Sequence, residues 1–307
     1  MTTTSHHLTR LVLLTALALS AGGCGGLAGK VAARALTSGG DAYATDDDPE
    51  LVRDAVPFGL KTMEGVLESE PRDAALLRTT AAGFVQYGFA FVAADADEAD
   101  MAGQLEKAKA LRLRARHLFL RARGYGLRAL DEQRDGLGAA LLGGRDPARA
   151  LARARKEDVP ALYWTASAWL LAIVNGKGEM GLVAELPVPV AMMERARALD
   201  EAWGDGAIHE FFLTYLAGVS PAEGGGVFRA RAERDRALAL SLNKKLGPRV
   251  AYAEAVLIPA QDRAAFAAEL EAVLQADPGE VPRFRLVNVL AQRRARLLLA
   301  HLDDLFL

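Results

Sequence analysis

Two stretches constrain this chain more than any other, "AAGFVQYGFAFVAA" at residues 81–94 and "ALYWTASAWLLAIV" at residues 161–174. Each is apolar around most of a helical circumference, so each predicts a helix covered on nearly all sides. At about fourteen residues, both fall short of the roughly twenty that cross a bilayer. Their cover must therefore come from the protein itself. A chain of 307 residues, 51% hydrophobic and 25% charged, is long enough and apolar enough to supply it. Alanine, leucine and arginine dominate and β-branched residues are sparse, which favours more helices over a sheet. The fold class expected is all-α.

Helix signals start at "DDDPELV", where Asp48 can cap, Pro49 suits the first turn and Glu50 suits the positive end of the dipole. Pro57 is expected to bend that helix and Pro71 to stop it. Four joints further along resemble one another: "LESEPRDAA", "RALDEAWGDGA", "LALSLNKKLGP" and "LQADPGEVP". Each joins a helix end to a short polar turn and then to a Gly or Pro that opens the next helix. Tetratricopeptide-like repeats use this joint. The joints are unevenly spaced, so the expected architecture is a degenerate helical-hairpin solenoid curled into one compact domain over residues 46–307. Residues 136–160 are the longest insertion and a candidate mobile segment. At the C-terminus Val287, Ala291, Ala295, Leu298, Leu302 and Leu305 form an apolar stripe that docks the last helix, with Arg293 on the opposite side.

Before this body the chain has a different character. A polar start containing Arg10 leads into "LVLLTALALSA", an apolar run of about eleven residues with the length of a signal-peptide core. It ends in "AGGC", which resembles a bacterial lipobox, although Ala21 stands where leucine is more frequent. Residues 1–23 are accordingly expected to be a lipoprotein signal peptide, and Cys24, the sole cysteine, the acylated N-terminus. Residues 24–45 are small and polar with little periodicity and are expected to form a flexible tether. An ordinary secretory signal, with an incidental cysteine, is the alternative.

Only one short segment looks like chemistry, "WGDGAIHEFFLTYL" at residues 203–216. A zinc-binding helix of the H-E-x-x-H kind needs two imidazoles one turn apart, but Leu213 stands one turn after His209. His6, His7, His117 and His301 offer no paired spacing either, which leaves only distant carboxylates as partners for a metal. His209 is either a partly buried histidine hydrogen-bonded to a neighbouring helix or a polar contact in a ligand cavity. "GGG" at residues 224–226 lacks the lysine and Ser/Thr of a phosphate loop and suggests a flexible connection. No catalytic constellation, metal site or cofactor motif emerges, and a net charge of −2 gives no footprint for nucleic acid. Aromatic residues at helical spacing are more suggestive, because flat walls beside small residues suit an apolar ligand as well as a core. Phe84, Tyr87, Phe91, Trp164, Trp169, His209, Phe212 and Tyr252 are the cavity candidates. Gln86, alone in an apolar run, would need a buried partner.

The blocks "ALYWTASAWLLAI", "DGAIHEFFLTYLAG", "GPRVAYAEAVLIPAQDRAAFAAELEAVL" and "VLAQRRARLLLAHLDDLF" carry a family resemblance. Together with the lipobox and the repeat joints, they make the chain resemble the TatT family, T-component lipoproteins of tripartite ATP-independent periplasmic (TRAP) transporters. The similarity runs from about Asp46 to Leu307. It implies a tetratricopeptide-like fold, a homotrimer, an internal apolar channel in each subunit, and a periplasmic substrate-binding P-component docked on the trimer. It also implies an envelope protein that is not an enzyme, anchored by Cys24 and holding or passing a small hydrophobic molecule. The runner-up is a lipid-anchored scaffold for envelope proteins with no ligand of its own.

Overall fold

Asp48 opens the helical body as its sequence suggests. In the computed structural model, which describes residues 24–38, 40–144 and 146–306, its side chain accepts from the amides of Glu50 and Leu51 at 3.0 and 3.1 Å. The helix that follows, α3 (Pro49–Ser69), absorbs Pro57 within its length and ends before Pro71. Asp73 then caps α4 (Ala74–Tyr87). The remaining longer helices are α5 (Ala94–Met101), α6 (Leu105–Gln133), α9 (Val159–Val174), α11 (Pro187–Leu199), α12 (Ala207–Ala217), α13 (Val227–Leu240), α15 (Arg263–Gln275) and α16 (Arg285–Ala300). All regular structure among the described residues is helical. All four joints singled out in the sequence are turns between helices.

The two apolar stretches behave differently from each other. In α9, Leu162, Ala166, Trp169 and Ala172 are almost inaccessible, and the helix lies between α6 and α11 at the centre of the molecule. Gly126 permits the close crossing with α6, since a Cβ there would lie 3.2 Å from the Cα of Thr165. The other stretch is not one regular helix. A π-helical segment, Gly88–Ala93, interrupts it between α4 and α5. Gly88 faces Phe119 so closely that a Cβ would meet its ring at 2.8 Å. One edge of this stretch is also open, since Gln86 faces solvent and Phe89 is 60% exposed, so Gln86 needs no buried partner.

Two segments are more ordered than their composition suggests. Residues 24–45, expected to be an irregular tether, are helical over α1 (Cys24–Ser38) and α2 (Gly40–Ala44). Ala33 and Leu36, three residues apart, pack against Leu67, Leu76 and Leu77, and that contact gives the helix an apolar side to bury. Residues 136–160 form α7 (Leu137–Leu142) and α8 (Pro147–Leu151), with Leu137, Leu141 and Leu151 inside the core. These leucines override the Gly/Arg-rich composition that suggested mobility. The signal-peptide expectation, residues 1–23, lies outside the described residues, as does the side chain of Cys24.

α6 packs against both α4 and α9, the neighbouring helices α3/α4, α12/α13 and α15/α16 lie against each other, and α16 returns to α2 and α3. Leu286 and Leu290 of α16 join the apolar cluster of Val52, Phe84 and Phe91. Arg293 pairs with Glu50 at 2.5 Å and with Glu98 at 3.5 Å, while Arg294 reaches Asp97 and Glu254. Arg293 is thus salt-bridged, and the body is curled so that its two ends meet. Among the described residues, no helix is long and apolar enough to cross a membrane.

Candidate functional site

The joint after α11 brings charge into the interior. Its backbone turns through left-handed conformations at Gly204, Asp205 and Gly206, the last with φ 93°. A side chain at Gly206 would press on the backbone of Ala237, whose Cα would lie 2.9 Å from a Cβ, so only glycine lets this turn lie against α13. The turn sets His209, near the start of α12, opposite Glu233 of α13. His209 Nδ1 lies 2.5 Å from Glu233 Oε2, and its ring is only 3% exposed. The other nitrogen is 3.3 Å from Glu201 Oε1 but not aligned for a hydrogen bond. Arg197 of α11 donates to the second oxygen of Glu233 at 3.1 Å and to Glu194 at 2.5 Å, and lies over the Phe212 ring at 4.1 Å. A hydrogen bond from Arg236 holds the Glu201 carboxyl below the usual carboxylate range, and Coulombic attraction to Arg236 and His209 adds to it. Of the two roles considered for His209, the structure shows the hydrogen bond to a neighbouring helix.

A cleft of about 240 Å³ opens beside this network. Val190, Phe212, Tyr215 and Leu216 give it apolar walls, while Glu194, Arg197, Glu223 and Arg229 supply charge. The loop after α12 forms one side by folding back on the helix end, with Gly226 N donating to Leu216 O at 2.8 Å. Gly224 and Gly226 take φ of 86° and 99°, and Gly225 packs against Val219 too closely for any side chain. The glycine triplet is therefore a tightly packed turn rather than a loose connection. A second, wider depression of about 500 Å³ lies where the chain ends meet, lined by Asp97, Asp100, Arg112, Arg294, His301 and Asp304 among others. Its arginines are paired, Arg112 with Asp97 and Asp100 and Arg294 with Asp97, while His301 Nδ1 lies 3.1 Å from Asp304 Oδ2.

The candidate aromatics are distributed over several parts of the core. Phe84 stacks on Tyr125 at 6.1 Å and carries the Arg121 guanidinium over its ring. Tyr87 and Phe91 touch at 5.8 Å in the same cluster. Trp164, partly buried, sits edge-on to Tyr163 and Trp203. Burial pushes the Tyr163 phenol above its ordinary value, and the Glu210 carboxylate adds to the effect. Trp169 donates from Nε1 to Glu185 at 2.7 Å, and Tyr252 lies under Arg234 in the C-terminal cluster. Of the eight candidates, Phe212 alone lines the 240 Å³ cleft. Sequence reasoning missed Arg197, Glu233, Arg229 and Trp203. The i, i+3 pair Glu194/Arg197 was visible in "MMERAR", but nothing local links Arg197 to Glu233, 36 residues away.

The helical body as a whole is what known proteins match. The TRAP transporter T-component family matches residues 45–306. A protein of Treponema pallidum (strain Nichols), described as "Uncharacterized protein", is 28% identical over 270 residues, covering 86% of this chain and 82% of its own. The match to the family spans the body from the turn before α3 to the end of the described chain. The chain belongs to the TRAP transporter T-component family.

Proposed function

We propose that this protein is a periplasm-facing accessory of a TRAP-type transport system. In this role it binds a small hydrophobic molecule and docks a substrate-binding P-component. The observation that carries the reading is the family match over residues 45–306, which takes in all helices from α3 onward. The cleft of about 240 Å³ beside Phe212, where Tyr215, Leu216 and Val219 stand next to charged side chains, supports the binding half. Residues 1–23 serve as a signal peptide and acylated Cys24 as the membrane anchor, outer-membrane placement being favoured by Gly25 after the cysteine. The body assembles as a homotrimer of tetratricopeptide-like subunits. A second reading, a lipid-anchored scaffold with no ligand, draws on Phe58 and Phe228, which are 79% and 89% exposed.

The test is complex formation with the P-component of a TRAP system from the same genome, followed by sedimentation of the purified proteins. A complex that forms at micromolar concentrations and dissociates on charge reversal at one face of this protein is the expected result. Independent sedimentation at those concentrations overturns the accessory role.

A further inference from the structure

The cleft at Phe212 contains two charges that the protein leaves uncompensated. Arg197 and Glu194 are engaged with each other, and Arg197 also with Glu233. Glu223 and Arg229 make contacts only within their own loop. Glu223 accepts from Ser220 Oγ at 2.8 Å, and Arg229 donates to the Gly224 carbonyl at 2.8 Å. Among the described residues neither has an oppositely charged partner, although both line the same cleft. The left-handed turns at Gly224 and Gly226 fix the backbone of the segment that joins them.

An unneutralised cation and anion in a cleft that also exposes Tyr215, Leu216 and Val219 complement a molecule that carries both charges and a small apolar body. Volume limits its size. At about 240 Å³ the cleft is smaller than the ~300–1,000 Å³ of pockets that hold drug-sized ligands. We propose that the cleft binds a small apolar α-amino acid. Its carboxylate lies on Arg229, its ammonium on Glu223, and its side chain on Tyr215, Leu216 and Val219, the partly exposed apolar residues of the lining. Glu194 is the poorer ammonium partner because Arg197 already holds it at 2.5 Å. This inference rests on the ligand-binding half of the proposed function and gives it a chemical class.

The probes are L-valine, isovalerate, which lacks the ammonium, and isobutylamine, which lacks the carboxylate. Each is titrated into the purified protein by calorimetry, with saturation-transfer NMR on the ligand methyls. Valine is expected to bind, and each truncated analogue to bind about tenfold weaker or worse, because each loses one charge-assisted contact. Arg229→Gln weakens valine by a similar factor and leaves isobutylamine unchanged, while Glu223→Gln weakens valine and leaves isovalerate unchanged. Both side chains are exposed, so neither variant threatens folding. Absence of valine binding, equal affinity for valine and isovalerate, or valine affinity unchanged in both variants overturns the inference. None of these outcomes bears on complex formation with the P-component, so the two readings fail separately.

Discussion

The close crossing of α6 and α9 can be tested with one substitution at two glycines two residues apart. Gly124 is exposed, and a Cβ there meets nothing within 4 Å. Gly126 is buried, and a Cβ there would press on Thr165 Oγ1, with Thr165 Cβ at 3.0 Å and Cα at 3.2 Å. Within a helix, Gly→Ala gains about 0.8–1 kcal/mol of propensity. Gly124→Ala should keep that gain. At Gly126 the clash involves backbone-fixed atoms that no rotamer change can move, which places the overpacking cost near the upper end of the usual range, about 3 kcal/mol. Gly126→Ala should therefore lose about 2 kcal/mol net. For a domain of this size each kcal/mol moves the melting midpoint by about 2–4 °C, so the two variants should differ by about 6–12 °C. Urea unfolding with an unchanged m-value gives the same comparison isothermally. Thr165→Ala removes the Oγ1 contact but leaves Cβ and Cα in place, so it should relieve only part of the Gly126→Ala cost in a double-mutant cycle. If Gly126→Ala proved as stable as Gly124→Ala, the packing of the two central helices would be wrong.

Three further perturbations follow from the same structure. Phe84→Ala should cost about 3–5 kcal/mol in urea unfolding, since Phe84 is 4% exposed and stacked on Tyr125; a loss below about 1 kcal/mol would mean that the ring lines an open cavity rather than a packed core. His209→Ala removes the contact to Glu233 while leaving Arg197 in place, so the loss should be about 2 kcal/mol, and an unchanged urea midpoint would show that the joint after α11 does not depend on it. Burial raises the Glu64 carboxyl, but hydrogen bonds from Lys61 and Tyr125 and the charge of Arg121 outweigh it and hold it below its ordinary value of 4.5. With a depressed folded value, its contribution to stability is present above pH 4.5 and is lost as pH falls through the folded value. Glu64→Gln should accordingly flatten the acid side of the stability–pH curve, and a curve parallel to that of the parent protein would contradict the assignment.

How much of this structure the sequence disclosed depends on how local each signal is. The cap at Asp48, the stop before Pro71 and the turns at all four joints are set by neighbouring residues, and each lies where its composition indicates. The central helix α9 was legible because its apolar circumference leaves no other place for it. The π-helical segment at Gly88 was not, because it answers to Phe119, which is far along the chain. The same holds for α1, α7 and α8. Their few apolar positions look weak in isolation and count only once Leu67, Leu76 and the core around α9 are in place to receive them. At the candidate site, the sequence drew attention to His209 and Phe212 by spacing. Their partners Glu233 and Arg197 arrive from helices on either side, and no periodicity joins residues 36 apart. The ion pair from Arg293 to Glu50, which helps close the body, spans 243 residues and lies beyond any sequence pattern.

Assembly and cargo stand at the centre of the proposed role, and native mass spectrometry of the purified protein addresses both in one spectrum. The account predicts a trimer carrying a small additional mass that is released on collisional activation. A bare monomer across the micromolar range would contradict it.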